Sequence, residues 1–127
     1  MQKLDLSGEK PIFLQIAEGL EDAVLSGALP EGGQLPSITE LSVQYTINPA
    51  TALKGINLLV DQGAVYKKRG VGMFVAEGAR ALLQKKRQGE FSSRFVAAMV
   101  AEAQRLGVAR QELLDMVALE FDRIEKG

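Results

Sequence analysis

Four basic side chains cluster between residues 54 and 74 of the sequence: Lys54, Lys67, Lys68 and Arg69. They are opposed in that stretch by one acidic residue, Asp61, so the local net charge is +3. Lysine and arginine neutralise phosphates, and Gly70 and Gly72 would let the backbone approach a nucleic-acid duplex closely. The segment from Lys67 to Gly72 is therefore a candidate DNA contact. The alternative is an ordinary hairpin whose basic strand is merely solvated.

A second candidate lies where a helix is predicted to begin, at Asn48-Pro49. Its leading polar and small residues are Asn48, Ala50, Thr51 and Lys54. Asparagine pairs with adenine, threonine contacts base edges or phosphate, and lysine reaches guanine or phosphate. The structural alternative is that Asn48 caps the helix, Thr51 packs inward and Lys54 is solvated. Capping does not exclude a phosphate contact.

The composition argues against most catalytic chemistry. The 127 residues are 46% hydrophobic and 24% charged, with a net charge of -1, which suits a soluble globular protein. Cysteine and histidine are both absent, which removes disulfides, thiolate sites, the usual general base and the commonest metal ligand. No apolar run approaches the roughly 18 residues of a membrane span. We expect a cytoplasmic protein that is not an enzyme, has no cofactor or metal, and has no membrane partner.

Apolar periodicity and helix-capping residues place these candidates on a fold. An amphipathic helix is predicted over 11–26, with Gly27 as its stop. The pair Ser37 and Glu40 forms a capping box that starts a second helix, which runs to about residue 45. The third helix is predicted over 49–62. A hairpin of strands 64–68 and 73–76 follows, so residues 9–77 are predicted to form a winged helix-turn-helix domain.

The remaining residues, 78–127, are predicted to form a short helical lobe, with a break at Gly89. Six apolar residues recur there at helical spacing: Phe91, Phe95, Met99, Leu113, Val117 and Phe121. A lobe of this size cannot bury both apolar stripes by itself. Some of that apolar area must pack on the winged domain or on a second copy, and a symmetric dimer would cover it with the same patch across a two-fold axis. We therefore expect these residues to form a homodimer interface, and the fold class to be mainly α with a small β-hairpin.

The order of short motifs along residues 9–77 resembles the N-terminal domain of GntR-family transcription regulators. The motifs are Pro11-Ile-Phe-x-Gln15-Ile, Gly27-x-Leu, Leu35-Pro-Ser37, Glu40-Leu, Asn48-Pro-x-Thr51, Gly63 and Gly70-x-Gly72-x-Phe74-Val75. The short helical tail is similar to that of the YtrA-like subfamily. The resemblance implies a winged helix, homodimerisation through the C-terminal helices and binding of a palindromic operator, usually in repression. It also implies that control by a small-molecule effector is common.

The resemblance also assigns candidate DNA contacts and shows where the chain departs from its family. The positions carried over are Ser37, Asn48, Thr51, Lys54 and Lys67 to Gly72, with Thr39 as a substituted contact and Ala50 in place of the usual asparagine. Gln34 and Thr39 stand where the family has basic residues, and Leu53 stands where a small polar residue is typical. Two phosphate-facing charges per subunit are thus missing, so affinity could be low or the operator unusual.

Our main interpretation is a dimeric, sequence-specific regulator that binds double-stranded DNA and acts as a repressor. The alternative is a winged-helix protein-interaction module that has lost DNA binding. That alternative is favoured by the missing basic residues and by the net charge of -2 over residues 1–76. An effector pocket, if present, is expected between the C-terminal helices near Phe91, Phe95 and Met99, although an apolar dimer core fits the same residues.

Overall fold

Helices and one hairpin make up the computed structural model, which describes residues 4–127. The elements are α1 (Ile12–Ser26), α2 (Ile38–Tyr45), α3 (Pro49–Asp61), β1 (Val65–Lys68), β2 (Gly72–Val75), α4 (Ala79–Phe91), a π-helical segment (Ser92–Val96), α5 (Ala97–Arg105) and α6 (Arg110–Lys126). The predicted fold class, mainly helical with one small hairpin, is confirmed. No helix among these residues combines the length and hydropathy that crossing a membrane requires.

The two strands pair antiparallel, from Val65 opposite Val75 to Lys68 opposite Gly72. The first strand is one residue shorter than predicted, and the second is shifted by one residue toward the turn, because residues 64 and 76 are joined only by the Ala76 N–H donating to the Ala64 carbonyl at 2.9 Å. The loop before α2 runs along the other edge of β2. There the Leu35 N–H donates to the Met73 carbonyl at 2.9 Å, which ties the hairpin to the helix-turn-helix.

The chain divides into two compact units, Met1–Lys86 and Arg87–Gly127. The first unit has one core, built from all of its helices and both strands. Its largest fully buried apolar residues are Ile16, Leu20, Val24, Leu41, Ile56, Leu59, Val75 and Leu83. Gly55 lets α3 lie close to α1, since a Cβ there would be 2.9 Å from the Phe13 carbonyl oxygen. This close approach fixes the position of α3.

The first turns of α4 belong to the first unit. Ala79 and Leu83 are buried in its core, and the Lys86 Nζ lies 2.6 Å from the carboxylate of Glu21, which is itself buried. With its amide oriented to satisfy both groups, Gln62 donates to Glu21 at 3.0 Å and accepts from Lys86 at 3.3 Å. The functional division predicted between 77 and 78 stays a prediction, while the packed unit extends to Lys86.

The second unit is helical except at residues 106–109 and Gly127, and its irregularity is not where the sequence predicted it. The predicted break at Gly89 is wrong, because α4 continues through that residue to Phe91. A helical glycine costs only about 1 kcal/mol relative to alanine, too little to end a helix of good formers. The π-helical segment follows instead, and α6 begins at Arg110, where the Ala109 N–H donates to the Glu112 carboxylate at 3.2 Å.

Candidate nucleic-acid interface

The start of α2 is held by the predicted capping box. The Glu40 N–H donates to the Ser37 hydroxyl at 3.0 Å, and the Ser37 N–H donates to the Glu40 carboxylate at 3.0 Å. The backbone and then the side chain of Ser37 lower the pKa of Glu40, because these donors favour the ionised carboxyl. Thr39 lies in this first turn and is exposed. The cap thus presents position 39 to solvent on an ordered helix end.

The start of α3 is capped by Asn48, the residue at which the sequence predicted that this helix begins. The Asn48 side-chain oxygen accepts from the Ala50 N–H at 2.8 Å, and Pro49 occupies the first helical position. Asn48 therefore does cap the helix, as the structural alternative proposed. Ala50 is exposed and Thr51 is half-buried, so the exposed leading end of α3 is less polar than its sequence suggested.

Lys54 is exposed, but its ammonium group is held against α1. The Nζ lies 4.1 Å from the centre of the Phe13 ring, a cation–π contact. A lysine in this position can still neutralise a phosphate. The contact draws it to the α1 side of α3. The sequence contained both residues, but nothing local to either one predicts the pairing.

The hairpin, which we call the wing (residues 65–75), carries the other basic side chains. Lys67, Lys68 and Arg69 are all exposed. The Lys68 Nζ lies 5.0 Å from the Phe74 ring centre, and Phe74 stacks on Tyr66 with ring centres 5.9 Å apart. Lys68 is therefore partly fixed on the wing surface. Gly70 allows the turn, with a φ of +77° that other residues rarely adopt.

Gln34 ties the tip of the wing to the loop before α2. Its side-chain nitrogen donates to the Val71 carbonyl at 3.0 Å, a contact between residues 37 apart in sequence. Gly72 has a φ of +147°, and a Cβ there would lie 2.5 Å from the Gln34 nitrogen. Gln34, which stands where the family has a basic residue, thus helps to position the wing. Gly72 leaves room for the Gln34 side chain to reach the Val71 carbonyl.

A groove of about 370 Å³ lies between α3, the start of α2 and the wing. It brings together three of the predicted site residues: Ser37, Lys67 and Gly72. Thr39, Asn48, Ala50, Thr51, Lys54, Lys68, Arg69 and Gly70 do not line it. Leu53 and Val71 do, and both are exposed; Leu53 was not among the predicted contacts, whereas Val71 lies within the predicted segment from Lys67 to Gly72. The unusual leucine at position 53 was the sequence signal that could have identified the first of them.

The six residues predicted at a dimer interface divide into two groups. Phe91, Phe95, Met99 and Phe121 are exposed, whereas Leu113 and Val117 are half-buried. The last two line a cavity of about 480 Å³ between α5 and α6, together with Met99, Gln104 and Arg110. Phe91 and Phe95 lie outside the lining of that cavity, with their ring centres 5.7 Å apart. The predicted effector pocket and the observed cavity thus share only Met99.

Comparison with known proteins agrees with this architecture. Residues 13–75 match the model of the bacterial regulatory proteins of the gntR family. The chain is 30% identical over 106 residues to the uncharacterised HTH-type transcriptional regulator YhcF of Bacillus subtilis, covering 84% of this chain and 86% of that protein. It is 31% identical over 83 residues to the HTH-type transcriptional repressor YtrA of the same organism, covering 65% and 64%.

A solved structure extends the similarity over nearly the whole chain. The crystal structure of a GntR-family transcriptional regulator from Bacteroides thetaiotaomicron has a TM-score of 0.75 and 33% identity, covering 88% of this chain and 97% of that one. The predicted resemblance to GntR-family and YtrA-type regulators is therefore confirmed. The relatives are named as regulators of transcription and not as enzymes. The chain belongs to the GntR family of bacterial regulatory proteins, and is a DNA-binding regulator of transcription.

Proposed function

We propose that this regulator is a homodimeric repressor that recognises a palindromic operator in double-stranded DNA. The observation that carries the proposal is the wing, on which Lys67, Lys68 and Arg69 are exposed beside the groove that borders α3. These cations would neutralise phosphates and set the register of the protein on the duplex. The exposed face of α3 would then enter the major groove.

The homodimer is supported by the surface of the second unit. Among residues 87–127, all of which the structure describes, only Ala103 is buried. Large apolar side chains are exposed along each of its helices, including Phe95 at 58% and Phe121 at 60%. Exposed apolar surface of this extent is typical of an interaction site. A second copy would cover it with the same surface across a two-fold axis.

A dimer would also account for operator symmetry. Two copies of α3 would meet two half-sites about 10 bp apart, or a multiple of that distance, and the half-sites would be inverted repeats. Repression follows from occupancy of such a site near a promoter, and the relative YtrA is named as a repressor. The cavity between α5 and α6 offers a place for a small apolar effector, with Gln104 and Arg110 as its polar contacts.

The test is selection of duplexes from a random-sequence pool by the full chain at low salt, followed by mobility shifts of the enriched sequence. We expect an inverted repeat and an affinity that falls steeply with salt. Replacing Lys67, Lys68 and Arg69 together with alanine should weaken binding to every duplex without changing the preferred one. The matched control removes the same charge from Lys85, Arg105 and Lys126, which are exposed on the helices α4 to α6.

Three outcomes decide the proposal. Enrichment of an inverted repeat, with sedimentation as a dimer at tens of micromolar, supports it. A single half-site bound by a monomer contradicts the proposed dimer, but is consistent with DNA binding by the first unit. No enriched duplex, or equal loss in the wing variant and its control, would favour the alternative of a winged helix that binds another protein.

A further inference from the structure

Two apolar side chains lie exposed on either side of the groove between α3 and the wing. Leu53 projects from α3 and is 38% exposed, and Val71 projects from the wing tip and is 57% exposed. The core lies behind them, where Ile56 is fully buried. On a helix that the proposed function places in the major groove, this exposed apolar pair is available for contact with an apolar group of the DNA.

Four polar side chains near this groove already have partners. The Lys54 ammonium lies on the Phe13 ring, the Asn48 oxygen accepts from the Ala50 N–H, and the Gln34 nitrogen donates to the Val71 carbonyl. The Ser37 hydroxyl accepts from the Glu40 N–H. The groove floor thus presents mainly apolar groups, while Lys67 supplies a cation at its lining.

The chemistry of the major groove contains one apolar group that fits such a surface. Each base pair presents donors and acceptors there, and thymine alone adds a C5 methyl group. The net charge of +3 over residues 54–74 complements the negative phosphates that border the major groove of the DNA. Ala50 lies one helical turn before Leu53 and is also exposed, so it extends the apolar face along α3.

We propose that Leu53 is a specificity-determining residue that reads the thymine C5 methyl group in each half-site of the operator. The inference rests on the proposed function, since it requires that α3 enters the major groove. It assigns sequence discrimination to van der Waals contact between Leu53 and a methyl group. Val71, on the wing, lines the same groove of the protein as Leu53. The basic residues then contribute affinity that is independent of sequence.

The experiment uses the full chain and the duplex enriched from the random pool. Each thymine is replaced in turn by uracil, which removes the methyl group and leaves every hydrogen-bonding group in place. At one or two positions per half-site we expect affinity to fall roughly fourfold, the factor that corresponds to one buried methylene-sized group. Simultaneous replacement in both half-sites should reduce it by roughly tenfold or more.

Two leucine variants make the assignment specific. Leu53→Ala should bind the thymine duplex more weakly and should lose the uracil effect at the positions that wild type discriminates. Leu82→Ala is the matched control, because Leu82 on α4 is 40% exposed and the same atoms are removed. It should keep the wild-type uracil profile. Thermal unfolding midpoints of both variants establish that each is folded.

The outcomes separate this inference from the function on which it rests. If no duplex is enriched, the proposed function fails and the inference fails with it. If an operator is enriched but uracil is tolerated at every thymine, methyl recognition is wrong and DNA binding stands. If Leu53→Ala keeps the uracil effect, another residue reads the methyl group. Loss of the effect in Leu53→Ala alone supports the assignment.

Discussion

The two units of this chain treat their apolar residues in opposite ways. Met1–Lys86 places leucines, isoleucines and valines from every helix and both strands in one buried core. Arg87–Gly127 has a comparable supply of large apolar side chains but leaves them exposed along α5, α6 and the π-helical segment. A buried core lets a unit fold alone, whereas an exposed apolar face is typical of an interaction site. The first unit therefore has the buried core that a stable fold needs, whereas the second leaves most of its apolar area available for interaction.

The sharpest test of this contrast is a pair of identical truncations. Leu59 is fully buried in the first unit, and Leu119 is 67% exposed in the second. Leu59→Ala should lower the free energy of unfolding by about 2–5 kcal/mol through lost transfer energy and a cavity. Leu119→Ala should change it by under about 0.5 kcal/mol in dilute protein. Urea unfolding over a range of protein concentrations measures both. A Leu119→Ala penalty that grows with concentration would show burial in a dimer, and equal penalties in dilute protein would contradict the contrast.

Charging the exposed stripe should break the association itself. Phe95→Asp combined with Phe121→Asp should give a monomer, because carboxylates buried in an interface without partners are costly. Operator affinity should fall roughly 100-fold or more, since the second half-site is no longer bound intramolecularly. Sedimentation and mobility shifts measure the two effects. Phe95→Leu combined with Phe121→Leu is the control and should remain dimeric. A charged variant that still sediments as a dimer would place the interface elsewhere.

The Glu21–Lys86 pair tests whether α4 belongs energetically to the first unit. Lys86→Met should destabilise that unit by about 1–3 kcal/mol, because it removes a cation from a buried carboxylate. This loss of stability is smaller than the loss expected for a fully buried ion pair, since the Lys86 side chain is 36% exposed. Lys85→Met, at an exposed neighbour on the same helix, is the control and should be nearly neutral. Equal urea midpoints for the two variants would show that the pair contributes nothing.

Placing a basic residue at position 39, where the family has one, should strengthen DNA binding by the first unit. Thr39→Arg adds one phosphate contact per subunit, so a dimer should gain roughly 1.8 units of log-log salt slope at about 0.9 for each contact. Affinity at low salt should rise by about tenfold across all sequences. Thr39→Gln, which is long but neutral, serves as the control. An unchanged slope for Thr39→Arg would mean that this exposed position does not face the duplex.

The smallest expected effect concerns the α2 capping box. Ser37→Ala should cost about 1 kcal/mol of stability. Because Ser37 lowers the pKa of Glu40, the ionised carboxylate contributes fully to stability at any pH above the ordinary pKa range of a glutamate. That contribution should disappear as the pH falls through the lowered pKa. Glu40→Gln should remove this part of the acid dependence, which urea unfolding against pH would measure. An identical pH profile in Glu40→Gln would exclude the carboxylate as its source.

The local features of the fold were predictable because their causes lie within a few residues. Ser37 and Glu40 are three apart and satisfy each other's backbone groups, and Asn48 caps the helix that Pro49 begins. Gly27 ends α1 in the left-handed conformation, as its position after the amphipathic run predicted. The order of these signals, with the hairpin that follows, was sufficient to predict a winged helix and its family.

Tertiary structure decided what the exposed side chains can do. Lys54 rests on Phe13 of another helix, Gln34 reaches the Val71 carbonyl 37 residues away, and Lys86 pairs with Glu21 across 65 residues. Helical and strand periodicity specify which face of an element is apolar, but not which element it will meet. The sequence by itself therefore determined the end of α1, the starts of α2 and α3, the wing and the basic cluster. Only the packing of α1, α3 and the wing decided which of those cations are held and which apolar groups line the groove.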